Sequence, residues 1–387
     1  MNFRLTDEQA AIGDTVRKYA ANECPRETAR ELDAQAAFPG KLLKGLADLG
    51  FCELNVPPAW GGAGENLLGA ALVVEELAAV APALAMAYAG SALRGGRTLS
   101  QWGSQEQQAR LLPAVSRGES VLTYALAESA VDAEPETAKT RATPNNGGFL
   151  LNGEKKHVAL AQEAEWMITA ARTGDGLSLF LVPTRAPGVV QSAIPQLGAR
   201  GVSLCHVRFE NVHVPAEDLL GGVNGLNQGA GQWAGIRALE QIEAGALGVG
   251  IAQGAYDYAV QYAQARVQFG QPLTAFEAVA HMLVEISVEL RAARLLLHEA
   301  CWLADEHEPF AVQAAIAGMS GVQVARKAAF QCLHILGGYG YMMEYDAQRY
   351  VRDALALLGG SESVLVWKNA IAEGLGLNVR ESAQGAQ

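Results

Sequence analysis

The sequence predicts a mainly α fold with a β domain at its centre. Three observations predict it. Apolar positions recur at helical spacing through the first third of the chain. From about Ser120 to Leu220 the segments become short, β-branched and aromatic, with turn residues between them. Beyond the glycine-rich stretch at 221–229 helical spacing returns, in long segments with short connections that read as an antiparallel bundle. The implied division is an N-terminal helical domain over 1–118, a middle β domain over 119–222 and a C-terminal helical bundle over 223–387.

Each element has its own signal. Thr6, followed by Asp7, Glu8 and Gln9, is a helix start, and Ile12, Val16 and Tyr19 continue one apolar face. Further helices are predicted at 41–49, 67–80 and 105–112, the last stopping at Pro113. NVPPAWGGAG at 55–64 is a loop by its Pro and Gly content. Strands are predicted at 121–125, 149–151, 166–171, 177–182 and 205–209, with hairpin turns at NNGG (145–148) and TGDG (173–176). A long helix at 236–266 ends at a Gly-then-Pro exit, and others cover 275–306, 309–336 and 361–375.

Composition narrows the function. Half of the 387 residues are hydrophobic, as in a folded protein. A net charge of -12 excludes general binding to nucleic acid or to an anionic membrane face. Five scattered cysteines without a C-x-x-C pair give neither a disulfide framework nor a metal site, and point to reduced thiols in the cytoplasm. The charged N-terminus lacks a signal core, and the apolar run at 67–90 is broken by Glu75, Glu76 and Pro82, so it reads as buried helix and no membrane span is expected. Gly248, Gly250 and Gly254 lie in a helical pattern without the spacing of a dinucleotide fingerprint, so they serve close helix packing or leave room for a ligand.

Several motifs occur in a telling order. ARVQFGQPLTAFEAV (265–279) resembles the Arg-x-x-Phe-Gly segment of acyl-CoA dehydrogenases. HILGGYGYMMEYDAQRYVRDA (334–354) is similar to their Gly-Gly-x-Gly-Tyr signature with its following Glu-Tyr and Arg-Asp. LNGEKKHV (151–158), LGARGVS (197–203) and FENVHVPAEDLL (209–220) match the middle domain of that family, so the resemblance spans the chain. It implies an N-terminal helical domain, a β-barrel-like middle domain and a C-terminal four-helix bundle. FAD would lie in the cleft between them, completed by a second subunit.

The resemblance also assigns residues. Arg266 would bridge phosphate oxygens of FAD, as a guanidinium does well, and Phe269 would pack near the adenine half. Gly337, Gly338 and Gly340 would give the cofactor close backbone approach, with His334 where the family has an adenine-side glutamine and Ser361 nearby. On the β side, Glu128 is kept, but Ala127 replaces a flavin-facing threonine and the Gly-Ser-Asp element is gone. The family's flavin wall of Trp-Ile-Thr reads His157-Val158-Ala159.

The implied reaction removes the α-proton of an acyl-CoA thioester while the β-hydrogen leaves as hydride. It needs a carboxylate base and a dry apolar slot. Gly359 stands at the position where many members carry their base. Glu240 aligns instead with the helix-borne base of isovaleryl- and long-chain acyl-CoA dehydrogenases; its alternative role is a helix-start carboxylate, and Glu362 is the fallback base. Three readings follow. The first is dehydrogenation of a branched, cyclic or steroid-derived acyl-CoA, with room left by Gly245 and Gly248 and electron-transferring flavoprotein as acceptor. The second is a degenerate subunit that completes a partner's FAD site in a heterotetramer. The third is flavin oxidation of a non-CoA substrate. Homodimers or homotetramers are the family habit.

Overall fold

The computed structural model describes residues 4–129, 133–174, 176–358 and 363–377. The N-terminal helices are α1 (Asp7–Glu23), α2 (Arg26–Gln35), α3 (Gly40–Asp48), α4 (Leu67–Ala78), α5 (Pro82–Tyr88), α6 (Arg97–Trp102) and α7 (Gln105–Ser116). Thr6 starts α1 with a reciprocal capping box, its hydroxyl accepting from Gln9 N–H while the Gln9 side chain accepts from Thr6 N–H. α4 is buried around nearly its whole circumference, as its run of Leu, Ala and Val requires. α5 runs into a π-helical segment, Ala89–Gly96, before α6. The stop expected at Pro113 does not occur. α7 continues to Ser116, because the carbonyl that Pro113 leaves without a donor belongs to Ala109, on the exposed face where water reaches it.

Seven strands form one curled sheet: β1 (Leu122–Ala125), β2 (Arg141–Asn145), β3 (Gly148–Ala159), β4 (Trp166–Thr173), β5 (Gly176–Pro183), β6 (Val189–Ala193) and β7 (Leu204–Pro215). The order is β1-β4-β2-β3-β7-β6, with β5 antiparallel to β4 along its length. The hairpin at NNGG forms with Asn145 paired to Gly148 and with Asn146 and Gly147 at φ of 38° and 78°. Thr173 pairs with Gly176 at the second hairpin, of which residue 175 lies outside the described residues. The two-residue period of β5 joins two cores. Phe180 and Val182 face the interior of the sheet, while Leu179 and Leu181 pack toward Leu112 of α7 and Ile236.

The C-terminal helices are α8 (Gly229–Ala265), α9 (Glu277–Asp305), α10 (Ala311–Leu336), α11 (Ala347–Ala356) and α12 (Val364–Gly374). α8 starts a full two turns before the expected residue 236, and its length lets it touch the sheet, α4, α9 and α10. It packs on α10 backbone to backbone: a Cβ on Gly248 would lie 2.3 Å from the Gly321 carbonyl, and one on Gly245 3.0 Å from the Ala317 oxygen. These glycines therefore set helix separation and leave no ligand space, contrary to the room expected from Gly245 and Gly248. Gly248→Ala is expected to destabilise the chain by about 2–3 kcal/mol through forced helix separation, read as a lower urea midpoint; an unchanged midpoint would refute the close-packing account.

Candidate active site

A cavity of about 110 Å³ opens where all three parts of the chain meet. Met86 of α5 and Arg94 of the π-helical segment line it from the N-terminal side, and Thr123, Tyr124, His157 and Ala159 from the sheet. α8 contributes Glu240, Glu243, Ala244 and Leu247, and α12 contributes Trp367. Glu240 and Glu243 stand one turn apart, so both carboxylates face the same side of α8.

Arg94 sits between them. Its side chain is buried; Nε lies 2.8 Å from Glu243 Oε2, and Nη1 lies 4.0 Å from Glu240 Oε1. The closer contact is off the angle of a hydrogen bond, so it is chiefly an attraction of charges. Tyr124 supports the guanidinium from below, its ring centroid 4.2 Å from the Arg94 carbon, and Tyr124 is fixed in turn by a 3.0 Å contact with the Thr98 hydroxyl. Burial pushes the Glu243 carboxyl up to about 7, against the pull of Arg94 and with the help of Glu240. Glu240 is less buried than Glu243, with 23% of its side chain exposed toward the cavity.

The helix-start explanation for Glu240 loses its basis. α8 begins at Gly229, which places Glu240 about three turns inside the helix and beyond the reach of its N-terminal partial charge. His157 and Ala159 line the same cavity. His157 adopts φ of 56° at a bulge between Lys155 and Val158, which re-aims its ring, and its buried Nδ1 has no hydrogen-bond partner. Ala127 lies in the apolar cluster behind the sheet and does not line the cavity. Glu128 is engaged by the protein itself. It accepts hydrogen bonds from Lys139 N, from Thr140 N and Oγ1, and from the buried Lys155 ammonium.

The second group of residues lies on an open groove at the far end of α8. Arg266 lines it with Tyr262, Leu336, Gly337, Gly338 and Tyr339. The Arg266 guanidinium lies 5.4 Å from the Tyr339 ring centre, and no carboxylate among the described residues is within ion-pair distance. Gly337 ends α10 at φ 58°, ψ -131°, a conformation that needs glycine, and a Cβ at Gly338 would meet open space. Gly340 is instead buried against the Leu333 carbonyl, 2.2 Å from where its Cβ would stand. His334 is exposed on the last turn of α10, and Phe269 is 93% exposed. Ser361 and Glu362, together with Gly359, lie outside the described residues.

The structure therefore brings Glu240, His157 and Ala159 together at the cavity, and Arg266, Gly337 and Gly338 together at the groove. Arg94, Glu243 and Trp367 were not singled out by sequence. An arginine inside the Ala- and Gly-rich run AGSALRGG and a carboxylate three residues after Glu240 were the available signals. The donor set suits FAD: a guanidinium and glycine backbone for its phosphates at the groove, and an unpartnered imidazole nitrogen on a partly apolar cavity wall for its ring.

Comparison with known proteins gives a family match for each of the three parts of the chain. Residues 6–119, 123–212 and 227–375 match the acyl-CoA dehydrogenase N-terminal, middle and C-terminal domain models, respectively. The chain is 33% identical to a probable acyl-CoA dehydrogenase, YngJ, of Bacillus subtilis, covering 97% of this chain and 100% of that protein. It is 34% identical to benzylmalonyl-CoA dehydrogenase of Aromatoleum aromaticum, covering 95% and 97%. Among solved structures, butyryl-CoA dehydrogenase of Megasphaera elsdenii superposes with a TM-score of 0.90 at 27% identity, over 97% of this chain and 100% of that one. A glutaryl-coenzyme A dehydrogenase in complex with glutaryl-CoA does so with 0.90 at 29%, over 98% of each. With matches to all three domains in order and a shared architecture along its length, the chain belongs to the acyl-CoA dehydrogenase family of FAD-dependent oxidoreductases.

Proposed function

We propose that the chain dehydrogenates an acyl-CoA thioester and that Glu240 takes the α-proton. The observation that carries this reading is the Glu240 carboxylate itself, exposed to an interdomain cavity from the middle of a helix, where no helix-end role accounts for it. Arg94, 4.0 Å away, sets a positive charge beside the Glu240 side chain. Leu247, Met86 and Ala244 give that cavity an apolar wall that excludes water from the acyl chain. The redox chemistry, uptake of the β-hydrogen as hydride, would be supplied by bound FAD. Arg266 and the Gly337–Gly338 backbone of a second copy would hold its phosphates, since that groove lies at the far end of α8, and His157 of this copy would lie against its ring.

Electron-transferring flavoprotein is the acceptor in this reading. A second copy of the chain would close the groove, a role supported by the exposed Phe269, Tyr341 and Met343. A cytoplasmic location accords with five buried free thiols, and no helix among the described residues is long and apolar enough to cross a membrane. The glycines give no argument for a branched, cyclic or steroid-derived acyl group, because α10 fills the space beside them.

The test is the absorbance spectrum of the purified chain, followed by anaerobic titration with acyl-CoAs. A yellow protein bleached by a thioester is the expected result, and Arg266→Ala is expected to weaken FAD retention by ~10-fold or more, as for loss of a charge-assisted phosphate contact. A folded but colourless chain would refute autonomous activity and favour a subunit that completes a partner's site.

A further inference from the structure

The cavity holds more fixed charge than a hydrocarbon chain requires. Arg94 faces Glu243 at 2.8 Å and Glu240 at 4.0 Å. The other basic group on the described wall, His157, is held toward its neutral form by burial. Arg237, one turn before Glu240, turns away from the cavity toward Glu134 and the Ala133 carbonyl. Arg94 is thus the one strong cation among the described residues lining the cavity, and two carboxylates already share it.

An uncommitted arginine in such a place would be a ready anchor for a carboxylate at the end of an acyl chain, since its planar fork matches that group. With Glu243 against it, an incoming carboxylate would instead become the third negative group around one guanidinium in a poorly hydrated space. Kinship does not decide the matter for this chain: one structural relative is seen with glutaryl-CoA and one sequence relative is named for benzylmalonyl-CoA, whose acyl groups each carry a second carboxylate, so the residues of this cavity must decide it. Resting on the acyl-CoA reading above, we propose that Glu243 is a specificity-determining residue: it neutralises Arg94, so that the site admits acyl groups lacking a second carboxylate and rejects dicarboxylyl thioesters.

The experiment compares pentanoyl-CoA with glutaryl-CoA, which have chains of equal length and differ in the terminal carboxylate. Binding to the FAD-loaded chain is measured at pH 8 by calorimetry and by flavin absorbance under anaerobic conditions. The wild type is expected to prefer pentanoyl-CoA by about 30-fold or more in Kd, as like-charge juxtaposition in a desolvated site demands. Glu243→Gln, which keeps the shape and removes the charge, is expected to reduce that preference by ~10-fold or more by improving glutaryl-CoA binding. Adding Arg94→Gln to it is expected to remove the gain again. Similar affinity of the wild type for both thioesters overturns the specificity while leaving the acyl-CoA reading intact. So does a preference that Glu243→Gln leaves unchanged. Binding of neither thioester overturns the acyl-CoA reading and this inference with it. If circular dichroism shows that Glu243→Gln does not fold, the wild-type preference alone decides.

Discussion

Glu240→Gln is expected to lower kcat by roughly 10²–10⁴-fold while FAD stays bound and acyl-CoA affinity changes little. Glutamine matches the glutamate in shape, so the cavity wall and the reach of Arg94 remain, but an amide cannot accept the α-proton. A loss confined to kcat, with thioester binding and the flavin spectrum preserved, is the signature of a group needed for the chemical step. Glu240→Asp is expected to keep intermediate activity, since its carboxylate stands one methylene farther back. Glu362→Gln provides the contrast. If it abolishes flavin bleaching and Glu240→Gln does not, the proton goes to Glu362 and the assignment to α8 fails.

The three-part fold was legible because its signals are local and repeated. A capping box at Thr6, a type I′ turn at Asn146-Gly147 and the alternation of β5 each follow from neighbours in sequence. Errors arose where tertiary surroundings decided. Pro113 ends nothing because the carbonyl it orphans faces water. Gly248 looked like space in a one-dimensional reading and proved to be a contact, because the α10 backbone occupies the missing side chain's place. α8 begins earlier than its sequence suggests, since Gly229 and Gly231 are poor helix formers and packing of Trp233 and Ile236 on the sheet outweighs their propensity.

The site divided in the same way. Arg266 and Gly337 were legible from contiguous motifs, and Glu240 from its position along one helix. Arg94 was not, because its meaning depends on a partner 149 positions away. A buried cation becomes interpretable only when the carboxylate that compensates it is located, and that pairing is made by the docking of the N-terminal helices on α8. Glu128 illustrates the converse. Its motif pointed to the cofactor, and in the structure its two oxygens hold the loop before β2 and the buried Lys155.

Arg94→Ala is expected to cost about 3–5 kcal/mol of stability at pH 8.5, and less at pH 6. The substitution leaves Glu243, of which 5% is exposed, without its counter-charge, and it also removes the packing of the guanidinium on Tyr124. The pH dependence follows from the direction of the Glu243 shift. Its folded-state carboxyl is raised to about 7, above the ordinary value of 4.5, so the native state binds the proton more tightly than the unfolded chain does. That contribution is fully present below about pH 4.5 and is lost as pH rises through 7. Without Arg94 the carboxyl rises further, so the variant goes on losing stability above pH 7 after the wild type has levelled off. Urea unfolding of both proteins at pH 6 and pH 8.5 measures the difference. Arg94→Ala/Glu243→Gln is expected to recover much of the loss at pH 8.5, because the uncompensated charge is gone while the cavity left by the arginine remains. An equal loss at both pH values, or a double variant no more stable than Arg94→Ala, would show that Arg94 contributes by packing alone and that its charge is not balanced by Glu243.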